Sequence, residues 1–350
     1  MTQLNSRQHR ILDFVASKKR VQNQDIVEFF AIQNDVLSRE TMTRELTELV
    51  NLRYLTRIGK GRSVSYELVD AHTLLKPFDH GSYLSQDQDV RSASLIRFKN
   101  EVIPKLSGIF TTDEVALLRK KGADFKKRVS ELSATIIQKE YERITIELSW
   151  KSSKIEGNTY SLIDTETLIR EHKEAVGHKK EEATMILNHK KALDYIFNNK
   201  DRFEEISLRN IEDVHRLLVE GLDVRFGLRS KSVGITGTNY RPLDNSHQIK
   251  EAIEQTCAEV NKASDPWSKA FSLMLMIAYI QPFEDGNKRT SRLMANACLI
   301  FGGVCPLSFR SIDESEYKKA VILFYELQNA SLMKKLFLEQ FDFAAKNYFL

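Results

Sequence analysis

Gln281-Pro-Phe-Glu-Asp-Gly-Asn-Lys-Arg-Thr-Ser-Arg292 is a tight polar turn between two strongly apolar segments. The run before it, 266–280, and the run after it, 293–301, have the length and composition of buried helices. Gly286 and Asn287 tolerate the backbone geometry that points successive N–H groups into one concavity. Because the second helix begins at once, the positive end of its dipole faces the same place. The turn therefore predicts an anion site.

Charged side chains in this turn refine the prediction. Arg289 and Arg292 are three residues apart, so they lie on one face of the first helical turn. Asp285 offers a carboxylate suited to Mg²⁺, which in turn binds phosphate oxygens. A polyphosphate ligand would suit this combination of backbone amides, a helix N-terminus, two guanidinium groups and a carboxylate that can bind a metal. Spacing alone leaves a second interpretation equally open, a structural turn whose arginines pair with nearby acids.

Composition excludes several classes of protein. The chain has 350 residues, 42% of them hydrophobic, and its 52 Lys and Arg exceed its 48 Asp and Glu by a formal net charge of only +4. These values are ordinary for a globular protein and exclude a disordered or collagen-like chain. Three cysteines without a CxxC motif predict reduced thiols and a cytoplasmic protein. The polar start and the short apolar runs predict neither a signal peptide nor a membrane span.

The domain organisation follows from where the helical pattern changes. Residues 1–69 predict three helices followed by two short strands around Gly59-Lys60-Gly61, an arrangement that resembles a winged helix-turn-helix. Residues 70–88 carry turn formers and are predicted to be a linker. Residues 89–350 are predicted to be a second, mainly helical domain. Its predicted helices are 89–104, 112–121, 124–151, 161–172, 179–198, 207–219, 246–263, 266–280, 287–301, 313–329 and 331–347.

Most of the net positive charge belongs to the first domain. Residues 1–69 contain 11 Lys and Arg against 8 Asp and Glu, a net charge of +3. In a DNA-bound winged helix, the third helix and the wing face the major groove and the flanking phosphates. Solvated charges on a protein-interaction module are the alternative interpretation. The candidate DNA-contacting residues are Arg39, Thr43, Arg44, Lys60 and Arg62.

The turn at 281–292 also resembles the core motif of the Fic (filamentation induced by cAMP) family, HxFx(D/E)GN(G/K)RxxR, and the resemblance extends over roughly residues 85–345. It implies an all-helical Fic fold with a β-hairpin flap, and transfer of AMP from ATP to a hydroxyl group of an unidentified target protein. ATP and Mg²⁺ are the implied cofactors, and Asp285 the implied metal ligand. Asn287, Arg289 and Arg292 are the implied catalytic residues beside the base position. The implied phosphate-binding residues are Glu284, Asp285, Gly286, Asn287, Lys288, Arg289 and Arg292.

Two further segments are similar to elements of that family. Ser152-Ser-Lys-Ile-Glu156-Gly157-Asn158 resembles the inhibitory motif (S/T)xxxE(G/N) of members that carry it on an upstream helix. By this resemblance, Glu156 would pair with Arg292 and compete with the γ-phosphate of ATP for that guanidinium. Residues 229–242 are predicted to form the flap hairpin that aligns the target peptide. Val233, Gly234 and Ile235 are its predicted clamp positions.

The chain departs from the family pattern at two positions. Gln281 stands where the family has the His that takes the proton from the target hydroxyl, and an amide cannot accept that proton near neutral pH. We therefore expect an attenuated transferase. Lys288 stands where most AMP-transferring members have Gly, and the Doc-like branch, which transfers the γ-phosphate, also has Lys there.

These departures leave two alternatives to an AMP transferase. One is a nucleotide-sensing, DNA-binding regulator with a degenerate Fic domain, which Gln281 motivates. The other is a Doc-like phosphotransferase, which Lys288 motivates. Self-association is an additional expectation of the resemblance.

Overall fold

The computed structural model describes residues 4–18, 20–35, 37–52, 54–69, 74–76, 79–91, 97–106 and 108–350, with the side chain of Arg62 also outside the described part. The chain folds as two compact units, Met1–Lys76 and Pro77–Leu350. The boundary between them lies inside the linker predicted at 70–88.

The described residues of the first unit form a small helical core beside an antiparallel sheet. Its elements are α1 (Ser6–Lys18), β1 (Arg20–Gln22), α2 (Asn23–Ile32), α3 (Arg39–Asn51), β2 (Leu55–Ile58) and β3 (Ser65–Leu68), with a 3₁₀ turn at Gly61–Ser63. The strand order is β1-β3-β2, with Tyr66 of β3 opposite Val21 on one side and Arg57 on the other. Strand β1 is an addition to the predicted helices and hairpin. The classification as a winged helix stays a prediction.

Helix α3 shows how local chemistry sets an element. Ser38 precedes it, and the Ser38 hydroxyl accepts a hydrogen bond from the backbone N–H of Thr41 at 3.1 Å, which satisfies one of the first free amides of the helix. Met42, Leu46 and Leu49 then recur at helical spacing and are completely buried. The opposite face of α3 remains in solvent.

The second unit is mainly helical, as predicted. In its described residues the helices are α4 (His80–Leu84), α5 (Val102–Lys105), α6 (Thr112–Glu131), α7 (Ala134–Ile155), α8 (Leu162–Glu171), α9 (Lys180–Asn198), α10 (Leu208–Val219), α11 (Ser246–Lys262), α12 (Pro266–Ile280), α13 (Asn287–Phe301), α14 (Glu314–Leu327) and α15 (Ser331–Asn347). A 3₁₀ turn occupies Lys200–Phe203. No helix among the described residues is both long and apolar enough to cross a membrane.

Helices α12 and α13 form the centre of this unit. All residues from Ala270 to Ile280 are buried, and so are all residues from Arg289 to Ile300. A helix that is buried on every side needs partners on every side, and α7, α9, α10 and α11 with α14 and α15 complete the bundle around this pair. The polar turn that joins α12 to α13 is therefore fixed at both ends by the core.

Two predicted helix boundaries differ clearly from the structure. The helix predicted at 89–104 is wrong, because residues 97–101 are not helical, only Val102–Lys105 is, and 92–96 lie outside the described residues. The helix break predicted at 122–123 lies instead at Leu132–Ser133. Gly122 lies inside α6, where a Cβ would come within 3.1 Å of Trp267 and Val304, so glycine permits α6 to pack closely against these side chains. In the predicted linker, Tyr83 is buried and its hydroxyl donates to Glu326 of the second unit at 2.7 Å.

The predicted flap hairpin is also wrong. Residues 229–242, all of them described, form no strand pairing with one another. The Arg229 guanidinium, 1% exposed, donates instead to the carbonyls of Gln281, Lys231 and Leu243. The Arg229 side chain thus bonds to main-chain carbonyls near both ends of the segment, which is a loop without strands. We call residues 229–244 the covering loop.

We expect Gly302→Ala to destabilise the protein by about 1–3 kcal/mol, since an added Cβ would lie 2.6 Å from Cβ of Pro266 and force α12 away from α13. Thermal unfolding measures the effect. Gly81→Ala is the control, because its Cβ would make only an ordinary contact with the Asp79 side chain at 3.5 Å, and its Tm should be unchanged or slightly raised. Equal melting temperatures for the two variants would contradict the tight packing.

Candidate functional site

The turn between α12 and α13 is fixed by its own residues. Gln281 ends α12 with φ 52° and ψ 59°, and Gly286 precedes α13 with φ 79°, a left-handed backbone that favours glycine. The Asn287 side chain accepts a hydrogen bond from Phe283 N and donates one to Phe283 O, both at 2.9 Å. The side-chain amide of Asn287 therefore sets the shape of the turn, whereas the family resemblance implied that Asn287 binds phosphate.

His215 supports the turn from α10, and the sequence did not single it out. Its ring stacks on Phe283 with centroids 3.6 Å apart, and its Nε2 donates to the backbone carbonyl of Asp285 at 3.0 Å. Burial lowers the pKa of His215 to about 4, so the imidazole is neutral near pH 7. With Nε2 used in this bond, His215 holds the turn in place.

Asp285 and Arg289 form an ion pair at the mouth of the turn. Arg289 Nη2 lies 2.9 Å from Asp285 Oδ2, with the guanidinium 2% exposed and the carboxylate 64% exposed. Arg289 Nη1 is buried and makes no hydrogen bond. No cluster of three or more His, Cys, Asp or Glu side chains suited to a metal occurs in the part of the chain that the structure describes. One exposed carboxylate still fits Mg²⁺ that arrives with a nucleotide, since Mg²⁺ commonly takes one or two carboxylates and substrate phosphates.

Arg292 lies at the centre of the site and is completely buried. Its Nε donates to Ser152 Oγ at 2.9 Å, and its Nη2 donates to the Ser152 carbonyl at 3.0 Å and to Glu156 Oε1 at 2.8 Å. Its guanidinium carbon is 5.2 Å from the centre of the Tyr317 ring on α14. The residue that the sequence placed on the outer phosphates therefore contacts the segment that resembles the inhibitory motif.

Glu156 is the carboxylate that α7 brings to this site. It is the residue at which α7 ends, and Gly157 follows with φ 100°, which turns the chain away. Glu156 Oε1 lies 2.8 Å from Arg292 Nη2, and Oε2 lies 2.8 Å from Lys288 Nζ. Burial alone would raise the pKa of Glu156, but Arg292 and Lys288 outweigh it and lower the pKa to about 2.

The contact between Lys288 and Glu156 was missing from the sequence-based prediction. The sequence did carry a signal for it, because Lys288 and Arg292 are four residues apart and hence neighbours on one helix face. A carboxylate that reaches one of these cations can also reach the other. Each oxygen of Glu156 thus has its own cation.

Gln281, at the expected base position, is 6% exposed and held in place. Its Nε2 donates to the Ala278 carbonyl at 2.6 Å and to the Tyr325 hydroxyl at 3.1 Å. No histidine of the described residues hydrogen-bonds to it. The covering loop reaches it through Arg229, whose Nε donates to the Gln281 carbonyl at 2.6 Å.

The predicted clamp residues Val233, Gly234 and Ile235 lie together on the covering loop. They line a cleft of about 870 Å³ that also involves Arg97 and Tyr240. Among the described residues before the loop, Phe98 pairs with its main chain, and Phe98 N donates to Arg241 O at 3.2 Å. In the part of the chain that the structure describes, most backbone groups of 232–236 make no hydrogen bond, so they are available to an extended ligand.

The candidate DNA-contacting residues of the first unit are spread over two elements. Arg39, Thr43 and Arg44 line one open face of α3, together with the acidic Glu40 and Glu48. Lys60 is exposed between β2 and β3, whereas the side chain of Arg62 lies outside the described residues. Acidic side chains on the same face reduce the positive potential that the net charge suggested.

Comparison with protein families supports the resemblance seen in the sequence. Residues 205–299, which contain the whole turn, match the family model described as the Fic/DOC family. The protein adenylyltransferase Fic of Nematostella vectensis is 26% identical over 172 residues, 48% of this chain and 40% of that protein. The protein of the same name from Drosophila willistoni is 28% identical over 171 residues, 48% of this chain and 34% of that protein. The chain thus spans less than half the length of these relatives.

Solved structures show the same fold. Fic-1 from Caenorhabditis elegans aligns with a TM-score of 0.55 at 18% identity, over 67% of this chain and 72% of that one. A Fic domain containing signaling protein from Bacteroides thetaiotaomicron aligns with a TM-score of 0.53 at 20% identity, over 67% of this chain and 96% of that one. The Fic resemblance and the mainly helical Fic fold are confirmed.

The ion pairs of Glu156 predict a pH-dependent contribution to stability. The pKa of Glu156 is about 2 in the folded protein against a usual 4.5, so its stabilisation is fully present above pH 4.5 and is lost as the pH falls towards 2. The difference in unfolding free energy between the wild type and Glu156→Gln should therefore shrink by up to about 3 kcal/mol between pH 7 and pH 2. Urea unfolding at several pH values measures it. The exposed Glu171→Gln is the control, and a pH-independent difference for Glu156→Gln would contradict the account.

Proposed function

We propose that the chain, through its Fic/DOC family domain at residues 205–299, binds ATP with Mg²⁺ and transfers AMP to a protein hydroxyl, and that Glu156 inhibits it. In this reaction the hydroxyl oxygen attacks the α-phosphorus, the bond to pyrophosphate breaks and the hydroxyl releases its proton to water, because Gln281 cannot accept it. The observation that carries the proposal is the position of Glu156, whose two oxygens each lie 2.8 Å from a cation of the phosphate-binding helix.

The inhibition follows from competition between two anions. A terminal phosphate of ATP would need Lys288 and Arg292, and both are paired with Glu156. Charge-assisted pairs of this kind are strong, and Glu156 gains additionally from being part of the same chain. ATP therefore binds weakly until the end of α7 moves. Ser152, which also contacts Arg292, and Gly157, which turns the chain after Glu156, complete this inhibitory segment.

The remaining residues supply positioning and charge. The first backbone N–H groups of α13 have no carbonyl partners within the helix, so they can donate hydrogen bonds to phosphate oxygens beside Gly286. Arg289 has an unpartnered Nη1 for the same phosphates, and Asp285 would hold Mg²⁺, which neutralises phosphate charge when bound. Asn287 contributes by fixing the turn, and Glu284 lies exposed beside it.

Gln281 limits the rate. An amide cannot take the proton of the attacking hydroxyl, and general-base catalysis is typically worth ~10²–10⁴-fold. The amide donates to the Ala278 carbonyl and to Tyr325, which keeps it rigid at the base position. Phosphoryl-type transfers depend mostly on positioning and electrostatics, so we expect slow transfer.

Removal of Glu156 should reveal the nucleotide site. Glu156→Gly frees Lys288 and Arg292, and we expect the Kd for ATP with Mg²⁺ to fall at least about tenfold in isothermal titration calorimetry. Glu171→Gly is the matched control, because Glu171 also ends a helix but is exposed, and its Kd should equal that of the wild type. No binding by either variant would contradict the proposed nucleotide site.

Restoring the base should reveal transfer. On the Glu156→Gly background, Gln281→His should raise incorporation of α-labelled phosphate from ATP into protein by ~10²–10⁴-fold. If γ-labelled ATP labels the protein instead, the result would favour the Doc-like phosphotransferase, which Lys288 motivates. Nucleotide binding without any transfer in the double variant would contradict the enzyme.

A DNA-binding regulator is the second candidate function, and the open face of α3 favours it. Arg39 and Arg44 project from that face with Thr43 between them. We expect the protein to bind duplex DNA in fluorescence anisotropy with a steep salt dependence, and Arg39→Ala with Arg44→Ala to weaken binding at least about tenfold. Lys18→Ala, at the end of α1, is the control. If duplex DNA does not bind, or binds without salt dependence, the result would contradict DNA binding and favour a protein-interaction module.

A further inference from the structure

Residues 79–91 are the first described residues of the second unit, and we call them the strap. We propose that Glu326 on α14 is a positioning residue that couples the strap to the covering loop and so to the base position Gln281. The inference rests on the proposed function for its consequence, because a loop beside Gln281 affects transfer only if transfer occurs there. The coupling itself can be measured without any activity.

Glu326 is a buried carboxylate with partners from both segments. From the strap, the Tyr83 hydroxyl donates to Oε2 at 2.7 Å and Arg91 Nη2 lies 3.4 Å from Oε1. From the covering loop, the Thr238 hydroxyl donates to Oε1 at 2.6 Å. The Glu326 side chain is 2% exposed and that of Arg91 5%.

The strap and the covering loop also contact each other directly around this carboxylate. Arg91 Nη2 donates to the Gly237 carbonyl at 2.6 Å. Asn239 Nδ2 donates to the Gln88 carbonyl at 3.1 Å and to Asp89 Oδ1 at 3.2 Å. Arg91 therefore links the loop backbone to the Glu326 carboxylate through one guanidinium.

Contacts of the covering loop connect Glu326 to Gln281 at the base position. The Thr238 hydroxyl accepts a hydrogen bond from Tyr240 N at 3.2 Å, and Tyr240 stacks on Tyr325 with centroids 5.1 Å apart. Tyr325 precedes Glu326 in α14, and its hydroxyl accepts the Gln281 Nε2 bond. Arg229, at the other end of the loop, donates to the Gln281 carbonyl.

Burial makes these contacts interdependent. A buried carboxylate is tolerated only while its partners satisfy it, so the loss of one partner weakens the hold on the others. If the strap moves, Glu326 loses Tyr83 and Arg91, and Thr238 loses the fixed acceptor that positions the covering loop. The position of the strap thus affects how the loop presents a target hydroxyl to the site.

Hydrogen–deuterium exchange of the full chain tests the coupling. In Glu326→Gln we expect backbone amides of both 79–91 and 237–241 to exchange at least about tenfold faster than in the wild type. Glu147→Gln is a chemically matched control, because Glu147 is also buried and bonded to a tyrosine hydroxyl and an arginine, Tyr348 and Arg310, which belong to neither segment. It should lower Tm without changing exchange in the strap or the loop.

A reciprocal variant separates coupling from general loosening. Thr238→Val changes only the loop, yet the strap amides should exchange faster, and Thr238→Ser should restore the wild-type rate. Wild-type exchange in the strap of Thr238→Val, or equal acceleration by Glu326→Gln and Glu147→Gln, would overturn the proposal. Failure of ATP to bind Glu156→Gly would instead overturn the proposed function while leaving these exchange rates readable.

Discussion

A completely buried guanidinium at Arg292 is the constraint on which this site depends. Burial of an unpaired charge costs several kcal/mol, so α13 can carry Arg292 into the core only if a carboxylate and hydrogen-bond acceptors meet it there. Ser152 and Glu156 meet it, from a helix that ends more than a hundred residues earlier in the chain. The same ion pair therefore stabilises the fold and occupies the cation that a phosphate would need, so folding and inhibition share one interaction.

Helix α14 is the second organising element, because three of its side chains reach three parts of the site. The Tyr317 ring lies beside the Arg292 guanidinium, the Tyr325 hydroxyl accepts from Gln281, and Glu326 holds the covering loop. A rigid helix keeps the distances among these contacts constant. Helix α14 thus influences three parts of the site. These are the guanidinium of Arg292, the orientation of the Gln281 side chain and the conformation of the covering loop.

Local sequence patterns were sufficient for much of this architecture. Apolar periodicity located α12 and α13 to the residue, because it depends on short stretches, and the resemblance to the inhibitory motif implied the approach of Glu156 to Arg292. The covering loop was predicted as a hairpin because alternating apolar residues and glycines suggest strands, whereas the outcome depends on Arg229, whose acceptors lie far away in the sequence. Other contacts in the site also join residues far apart in the sequence, and periodicity does not encode them. They are those of Lys288, His215 and Glu326.

The most direct test is a crystal structure of the Glu156→Gly variant with ATP and Mg²⁺. If Glu156 stands in for a terminal phosphate, a phosphate oxygen should lie within hydrogen-bond distance of both Lys288 Nζ and the Arg292 guanidinium, with the turn at 281–286 unchanged. A nucleotide bound elsewhere, or a phosphate that leaves both cations unpaired, would contradict the account.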